Sequence, residues 1–99
     1  MTKIKKLVDQ IDDELCSAKE YAEKYIEYKA AGNSAWANKY KDMANDELKH
    51  ATVLHEVATA EIDAIKKVYT APVKMQEKWD ASHVEYVEKA AWIKQMLTM

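Results

Sequence analysis

Two residues that can bind a metal ion lie three positions apart near the middle of this chain. Glu47 and His50 form a Glu-x-x-His step, and residues three apart on a helix lie on one face, about 5–6 Å from each other. A carboxylate and an imidazole so arranged can bind one cation. Glu14 holds a matching position in the preceding helical segment. The spacing predicts a metal site formed by Glu14, Glu47 and His50.

Three long segments of apolar periodicity must position these residues. They cover residues 3–31, 34–69 and 72–97. Gly32 is suited to end the first helix, Asn33 can begin the second, and Pro72 stands where a third would start. Long helices joined by short turns run antiparallel. We therefore predict an all-α fold, an antiparallel up-down-up bundle of three long helices.

Each segment carries an apolar stripe that is predicted to face the core. The first stripe consists of Ile4, Leu7, Ile11, Leu15, Ala18, Ala22 and Tyr25. The second consists of Trp36, Tyr40, Met43, Ala44, Ala51, Leu54, Ala58, Ile62 and Ile65. The third consists of Met75, Trp79, Tyr86, Ala90, Ile93 and Leu97, widened by Val84, Val87 and Ala91.

Three polar residues interrupt the first two stripes. Glu14 falls in the first stripe, and Glu47 and His50 fall in the second, so all three are predicted to point inward. Glu14 lies eighteen residues before Gly32 and His50 lies eighteen after it, so antiparallel helices place them at one level. A buried carboxylate without a partner costs several kcal/mol or takes up a proton. The arrangement therefore indicates either a structural hydrogen-bonded cluster or a shared cation.

Composition excludes several classes of protein. The 99 residues form one domain, residues 1–99, with a net charge of −2 and interspersed acids and bases, which predicts no nucleic-acid or anionic-membrane partner. No stretch approaches the ~20 apolar residues of a membrane span, so we expect a cytoplasmic protein. A single cysteine, Cys16, excludes an internal disulfide and a four-cysteine metal site. We interpret Cys16 as a bystander thiol, with a reactive thiol as the alternative.

The polar residues match a known pattern over about half of the chain. The matching positions are Glu14, Tyr21, Gly32, Glu47 and His50. Over roughly residues 8–60 the sequence resembles the first half of the ferritin-like superfamily, closest to rubrerythrins, in which such residues supply half of a di-iron centre. The resemblance implies a carboxylate-rich iron site, with manganese or zinc as alternatives, in which Glu47 bridges and Glu14 and His50 are terminal ligands.

The third segment departs from that pattern, because a ferritin-like domain has four helices and a second Glu-x-x-His. The candidate ligands in the third segment are His83, in a degenerate Asp-x-x-His step, and Glu88. Counting from the second turn places a buried His83 level with residue 60 and Glu88 level with His55. Glu88 is therefore favoured as a ligand, unless the loop slips by one turn, and His83 is expected to pair with a residue such as Glu61. His55 is interpreted as a flank histidine satisfied by a carboxylate such as Glu88, with a metal ligand as the alternative.

The missing ligands can come from a second chain. The length and the single Glu-x-x-His resemble encapsulated ferritins, in which protomers dimerise and each contributes half of the site. We therefore expect a homodimer or higher homo-oligomer, in which a two-fold axis supplies four carboxylates and two imidazoles. Surplus aromatic residues such as Trp36 and Trp92 favour this. The sequence leaves open whether the protein is enclosed by a protein shell or a phage particle.

Iron oxidation or storage, with ferroxidase-type activity, is the function that the resemblance implies. Rubrerythrins receive electrons through a four-cysteine domain, which one cysteine cannot provide, so a self-contained peroxidase is not expected. Tyr21 and Tyr25 are interpreted as core aromatics in preference to redox groups. The alternative function is a non-catalytic helical oligomerisation or interaction module, in which the polar cluster is structural or a relict.

Overall fold

The computed structural model describes residues 2–68 and 73–99. This part of the chain contains no strand and three helices, which are α1 (Thr2–Ala30), α2 (Ser34–Val68) and α3 (Val73–Met96). The predicted all-α three-helix bundle is confirmed. At 1.5 Å per residue α2 alone is about 52 Å long, which accounts for most of the 56 Å length of the molecule. The predicted helix boundaries at Tyr69 and Pro72 lie outside the described residues.

The turn between α1 and α2 follows the predicted chemistry. Gly32 has a φ of 78°, a left-handed conformation that glycine adopts without strain. The amides of Gly32 and Asn33 donate to the carbonyls of Lys29 and Tyr28, which closes α1 with a Schellman motif. The Asn33 side chain then accepts from the amide of Trp36 at 3.1 Å and caps α2. The turn therefore ends one helix and starts the next within two residues.

The core is built on α1, which packs against both other helices. Every residue of the predicted α1 stripe is buried, from Ile4 to Tyr25. The C-terminal ends of α1 and α3 meet, because the Lys29 ammonium donates to the backbone carbonyl of Met99. The two helices therefore run in the same direction, with α2 antiparallel to both. No helix in the described ranges is long and apolar enough to cross a membrane.

The buried face of α2 is narrower than predicted. Its buried residues are Ala37, Ala44, Leu48, Ala51, Ala58 and Ile62. Trp36 and Met43, which were predicted to be in the core, are 52% and 41% exposed. Small alanine side chains allow α1 and α2 to approach closely, so the larger residues beside them lie at the edge of the contact. The prediction of core positions for Trp36 and Met43 was wrong.

The third helix is apolar on two sides, and only one of them is covered. Its predicted stripe is buried at Met75, Trp79, Ala90, Ile93 and Leu97. The residues expected to widen that stripe are exposed, namely Val84, Val87 and Ala91. They face away because α3 packs mainly on α1, which covers one face of it.

The alignment of α2 with α3 also differs from the prediction. His83 lies beside His55, with 2.8 Å between His55 Nε2 and His83 Nδ1, and is exposed. The predicted level was residue 60, five positions further along α2. Glu61, the expected partner of His83, instead forms an ion pair with Lys3 at 3.0 Å. Counting residues from the second turn gave the wrong level because it assumed that α2 and α3 are aligned symmetrically about that turn.

Candidate metal centre

Three ligand atoms converge where α1 and α2 face each other. One ligand atom from each of Glu14, Glu47 and His50 lies within 4.8 Å of the other two. His50 Nδ1 is 3.4 Å from Glu14 Oε2 and 3.9 Å from Glu47 Oε1. The three residues share one level because the Gly32 turn keeps α1 and α2 in the predicted alignment. Lys3 and Glu61 pair across the same two helices at their far end.

The two carboxylates are less accessible than the imidazole. The side chains of Glu14 and Glu47 are 29% and 24% exposed, whereas that of His50 is 59% exposed. The prediction that His50 points inward was therefore wrong. His50 lies at the outer edge of the α1–α2 contact, since it follows Glu47 by three residues and is rotated further from α1. The two carboxylates therefore form the less exposed part of the cluster, and the imidazole forms its exposed edge.

One carboxylate oxygen in this cluster is buried without a hydrogen bond. Glu14 Oε2 is inaccessible to solvent and has no hydrogen-bond partner. Its 3.4 Å separation from His50 Nδ1 exceeds the 2.7–3.2 Å range typical of an N–H···O bond. An unpaired buried acceptor of this kind is destabilising. A positively charged ligand bound to this oxygen would offset that cost.

The Glu47 carboxylate lies close to the negative charge of Glu14. Proton sharing with the Glu14 carboxyl is the main cause that raises the pKa of Glu47, and burial and the charge of Glu14 raise it further. His50 acts in the opposite direction. Two carboxyl groups at such close range disfavour a doubly ionised state. A cation between them would remove that repulsion.

A groove open to solvent leads to the cluster. Gln10, Asp13, Glu14, His50, Val53 and Leu54 line it. On the Gly32 side of the cluster lies an aromatic stack, in which the Tyr28 and Tyr40 rings are nearly parallel with centroids 5.5 Å apart. Tyr21 packs against Tyr40 in a tilted arrangement. Tyr25 is buried and accepts a hydrogen bond from Lys29. Both Tyr21 and Tyr25 pack as aromatic side chains.

The structure does not bring His83 or Glu88 to this cluster. Glu88 reaches the level of His50, because it lies five residues beyond His83 as His50 lies five before His55. Its exposed side chain, however, borders a groove between α1 and α3, beside Cys16. Cys16 is two positions from Glu14, about 200° around α1, so Glu88 lies on the other side of that helix. Cys16 itself is exposed.

The pairing of His55 with His83 was missed by the sequence analysis. His55 was expected to contact a carboxylate, whereas its ring contacts His83, Trp79 and Tyr86. The signal was the presence of one histidine on each helix. Finding the pair from the sequence would have required the correct alignment of α2 with α3.

No family model, curated protein or solved structure matches this chain. The resemblance to ferritin-like proteins therefore depends on the pattern of Glu14, Tyr21, Gly32, Glu47 and His50 alone.

The donor set nevertheless limits the chemistry of the site. Two carboxylates and one imidazole are ligands for Fe²⁺, Mn²⁺ or Zn²⁺, whereas soft metals prefer sulfur. Three protein ligands leave coordination positions open for water or for groups from another molecule. The open side of the groove is where such groups can approach.

Proposed function

We propose that this protein is a ferritin-like metal-binding protein that holds iron through Glu14, Glu47 and His50. The observation that carries the proposal is that one ligand atom from each of these three residues lies within 4.8 Å of the other two. In the same cluster, Glu14 Oε2 is buried with no hydrogen-bond partner. A structural cluster would be expected to satisfy that oxygen internally. The roles implied by the resemblance are a bridging Glu47 and terminal Glu14 and His50. Manganese and zinc are alternative occupants.

The site is proposed to be completed by a second copy of the chain. One flank of α2 carries a seam with alternating spacings of four and three residues, which consists of Trp36, Tyr40, Met43, Glu47, His50, Leu54 and Val57. Each member is at least partly exposed, because α1 covers only one side of the seam. This spacing is typical of a helix that packs against another helix. The ligands lie in the middle of the seam, with apolar residues on both sides.

A two-fold axis through this seam would place two such clusters together. Four carboxylates and two imidazoles would then surround a pair of metal ions. When bound, ferrous ions in such a site supply the electrons for reducing dioxygen or peroxide, which is ferroxidase-type chemistry. The chain's own contribution is to orient the carboxylates and to exclude bulk water through the flanking seam. Iron oxidation or storage in the cytoplasm is the corresponding role.

The same seam supports a second candidate function. The apolar members extend beyond the ligands in both directions, to Trp36 on one side and to Val57 on the other, so the flank could join two chains without any metal. In that case the protein is a non-catalytic oligomerisation module. The polar residues at the centre would then set the alignment of the two helices, as single polar residues do in coiled coils.

Metal analysis of protein purified aerobically with iron supplied tests the proposal. We expect about one iron per chain, that is, a pair of ions per dimer, and loss of this iron in Glu47→Ala and His50→Ala. The matched controls are Asp46→Ala and Lys49→Ala, which change the exposed residue immediately before each ligand. Ferroxidase-type activity additionally requires iron-dependent oxygen uptake that is faster in the wild type and the controls than in the ligand variants.

Light scattering on the same samples separates the two candidate functions. A dimer with iron supports the metalloprotein, and a dimer without iron supports the oligomerisation module. A monomer that binds iron would contradict the shared site. A monomer without iron would overturn both proposals.

A further inference from the structure

A second pair of metal-binding side chains lies between α2 and α3. His55 Nε2 and His83 Nδ1 are 2.8 Å apart, and the two ring centroids are 5.0 Å apart. The nitrogens therefore point toward each other across the helix contact. Neither histidine belongs to the group formed by Glu14, Glu47 and His50, and His55 lies about 7.5 Å further along α2 than His50. The pair is therefore separate from the carboxylate cluster.

We propose that His55 and His83 form a second metal site, specific for a divalent ion such as Cu²⁺ or Ni²⁺, that links α2 to α3. Imidazole nitrogens bind such ions at about 2.0–2.1 Å, so two of them at a right angle are about 2.9 Å apart. Tetrahedral ligands at the same bond length are about 3.4 Å apart. The observed 2.8 Å is the length of a hydrogen bond between the two rings. It already brings the nitrogens close to the spacing of the right-angle arrangement, which Cu²⁺ and Ni²⁺ favour.

Aromatic neighbours hold the His55 ring in place, whereas the His83 ring is free to turn. Tyr86 stacks on His55 with centroids 4.4 Å apart, and Trp79 lies 5.0 Å from the same ring. His83 is exposed and can turn so that both nitrogen lone pairs converge on one ion. The exposed side of His83 also provides the path by which the ion arrives.

Protonation does not oppose binding at this site. Burial lowers the pKa of His55, and the charge of His83 lowers it further, so His55 is neutral near pH 7. A metal ligand must be unprotonated at the binding nitrogen. The proton that the two rings share can move to the far nitrogen of a ring, since a neutral imidazole carries its proton on either nitrogen.

The pair differs from the carboxylate cluster in its preference for metals. Among residues 2–68 and 73–99, Glu14, Glu47 and His50 form the single group of three or more His, Cys, Asp or Glu side chains close enough to share an ion. Within these ranges no third side chain of these types therefore joins the histidine pair, and water would fill the other positions. Imidazole ligands alone suit ions such as Cu²⁺ and Ni²⁺, whereas carboxylates favour harder ions such as Mn²⁺.

Copper titration of the full chain tests the proposal. The background variant is His50→Ala, which removes the imidazole of the first site and leaves His55 and His83 intact. We expect copper to raise its Tm, on the order of 10 °C at about 100 times Kd. The rise should disappear in His50→Ala/His83→Gln and in His50→Ala/His55→Gln. Electron paramagnetic resonance should show two nitrogen ligands on Cu²⁺ before, and not after, the second substitution.

Three results would contradict a metal site at His55 and His83. An equal rise in Tm with and without His83 would overturn the site, as would an unchanged Tm or a spectrum without nitrogen ligands. Metal-free melting checks that each variant folds, and the exposed His83 makes His83→Gln the safer substitution. Because every variant compared already lacks His50, a failure here says nothing about iron binding at the intact first site.

Discussion

Replacing Glu14 with glutamine should stabilise the metal-free protein while removing its response to metal. The wild-type side chain holds an oxygen that is buried without a hydrogen bond, next to a second carboxyl group, that of Glu47. Glutamine has nearly the same shape, carries no charge, and can donate an amide N–H to Glu47. The substitution therefore removes the repulsion between two charged carboxylates and provides a permanent amide donor in place of the proton that Glu47 shares with Glu14.

The expected gain is about 1 kcal/mol. A buried polar group without a partner costs about 1–3 kcal/mol, and the lower end applies because the Glu14 side chain is 29% exposed and water screens part of the repulsion. For a domain of this size, about 1 kcal/mol raises Tm by roughly 4–8 °C. Ferrous iron should raise the Tm of the wild type and leave that of Glu14→Gln nearly unchanged, since the variant loses a carboxylate ligand.

Thermal melting with and without iron, under anaerobic conditions, measures both effects. Asp13→Asn is the matched control, because it makes the same chemical change at the adjacent, exposed position and should alter stability by less than about 0.5 kcal/mol. A lower metal-free Tm for Glu14→Gln would refute the reasoning. It would mean that the wild-type carboxylate is satisfied within the protein, as a structural cluster requires.

Two further perturbations test the seam and the histidine pair. Met43→Glu places a charge in the exposed seam and should shift the light-scattering mass from dimer to monomer, whereas Val84→Glu, on the outer face of α3, should not; equal masses for both variants would contradict an α2 interface. Burial and His83 lower the pKa of His55 below its usual 6.5, with Glu56 opposing them, so the unfolded chain binds more protons than the folded one as pH falls through that region. Stability contributed by neutral His55 is thus present above pH 6.5 and lost below it. Melting at pH 7 and at pH 5 should show a smaller acid-induced fall for His55→Gln than for the wild type, and equal falls would count against this account.

The sequence was sufficient to predict the helices and the alignment of α1 with α2. Both depend on local information, namely apolar periodicity and the Gly32–Asn33 turn, whose hydrogen bonds are made within a few residues. Glu14 could be chosen over neighbouring glutamates because it alone interrupts the α1 stripe. The common level of Glu14 and His50 then followed from counting residues across a short turn.

The exposed flanks could not be predicted in the same way. Apolar periodicity shows which face of a helix avoids water, and it does not show which neighbour covers that face. Met43 and Val84 were therefore placed in the core, although they are 41% and 54% exposed. The partner of His83 was missed for a related reason, since the position of α3 along α2 is set by its packing on α1.

The exposed residues of the α2 seam bear on how the carboxylate cluster would bind metal. A site complete within one chain would bind metal independently of protein concentration, whereas a site shared across the seam makes binding and dimerisation one linked equilibrium. By reciprocity, metal must then strengthen the dimer by the same factor by which dimerisation strengthens metal binding. The apolar seam on either side of Glu47 and His50 could hold two chains together before any ion arrives. In that case the seam would preorganise the ligands, and much of the affinity for metal would come from residues that never touch it.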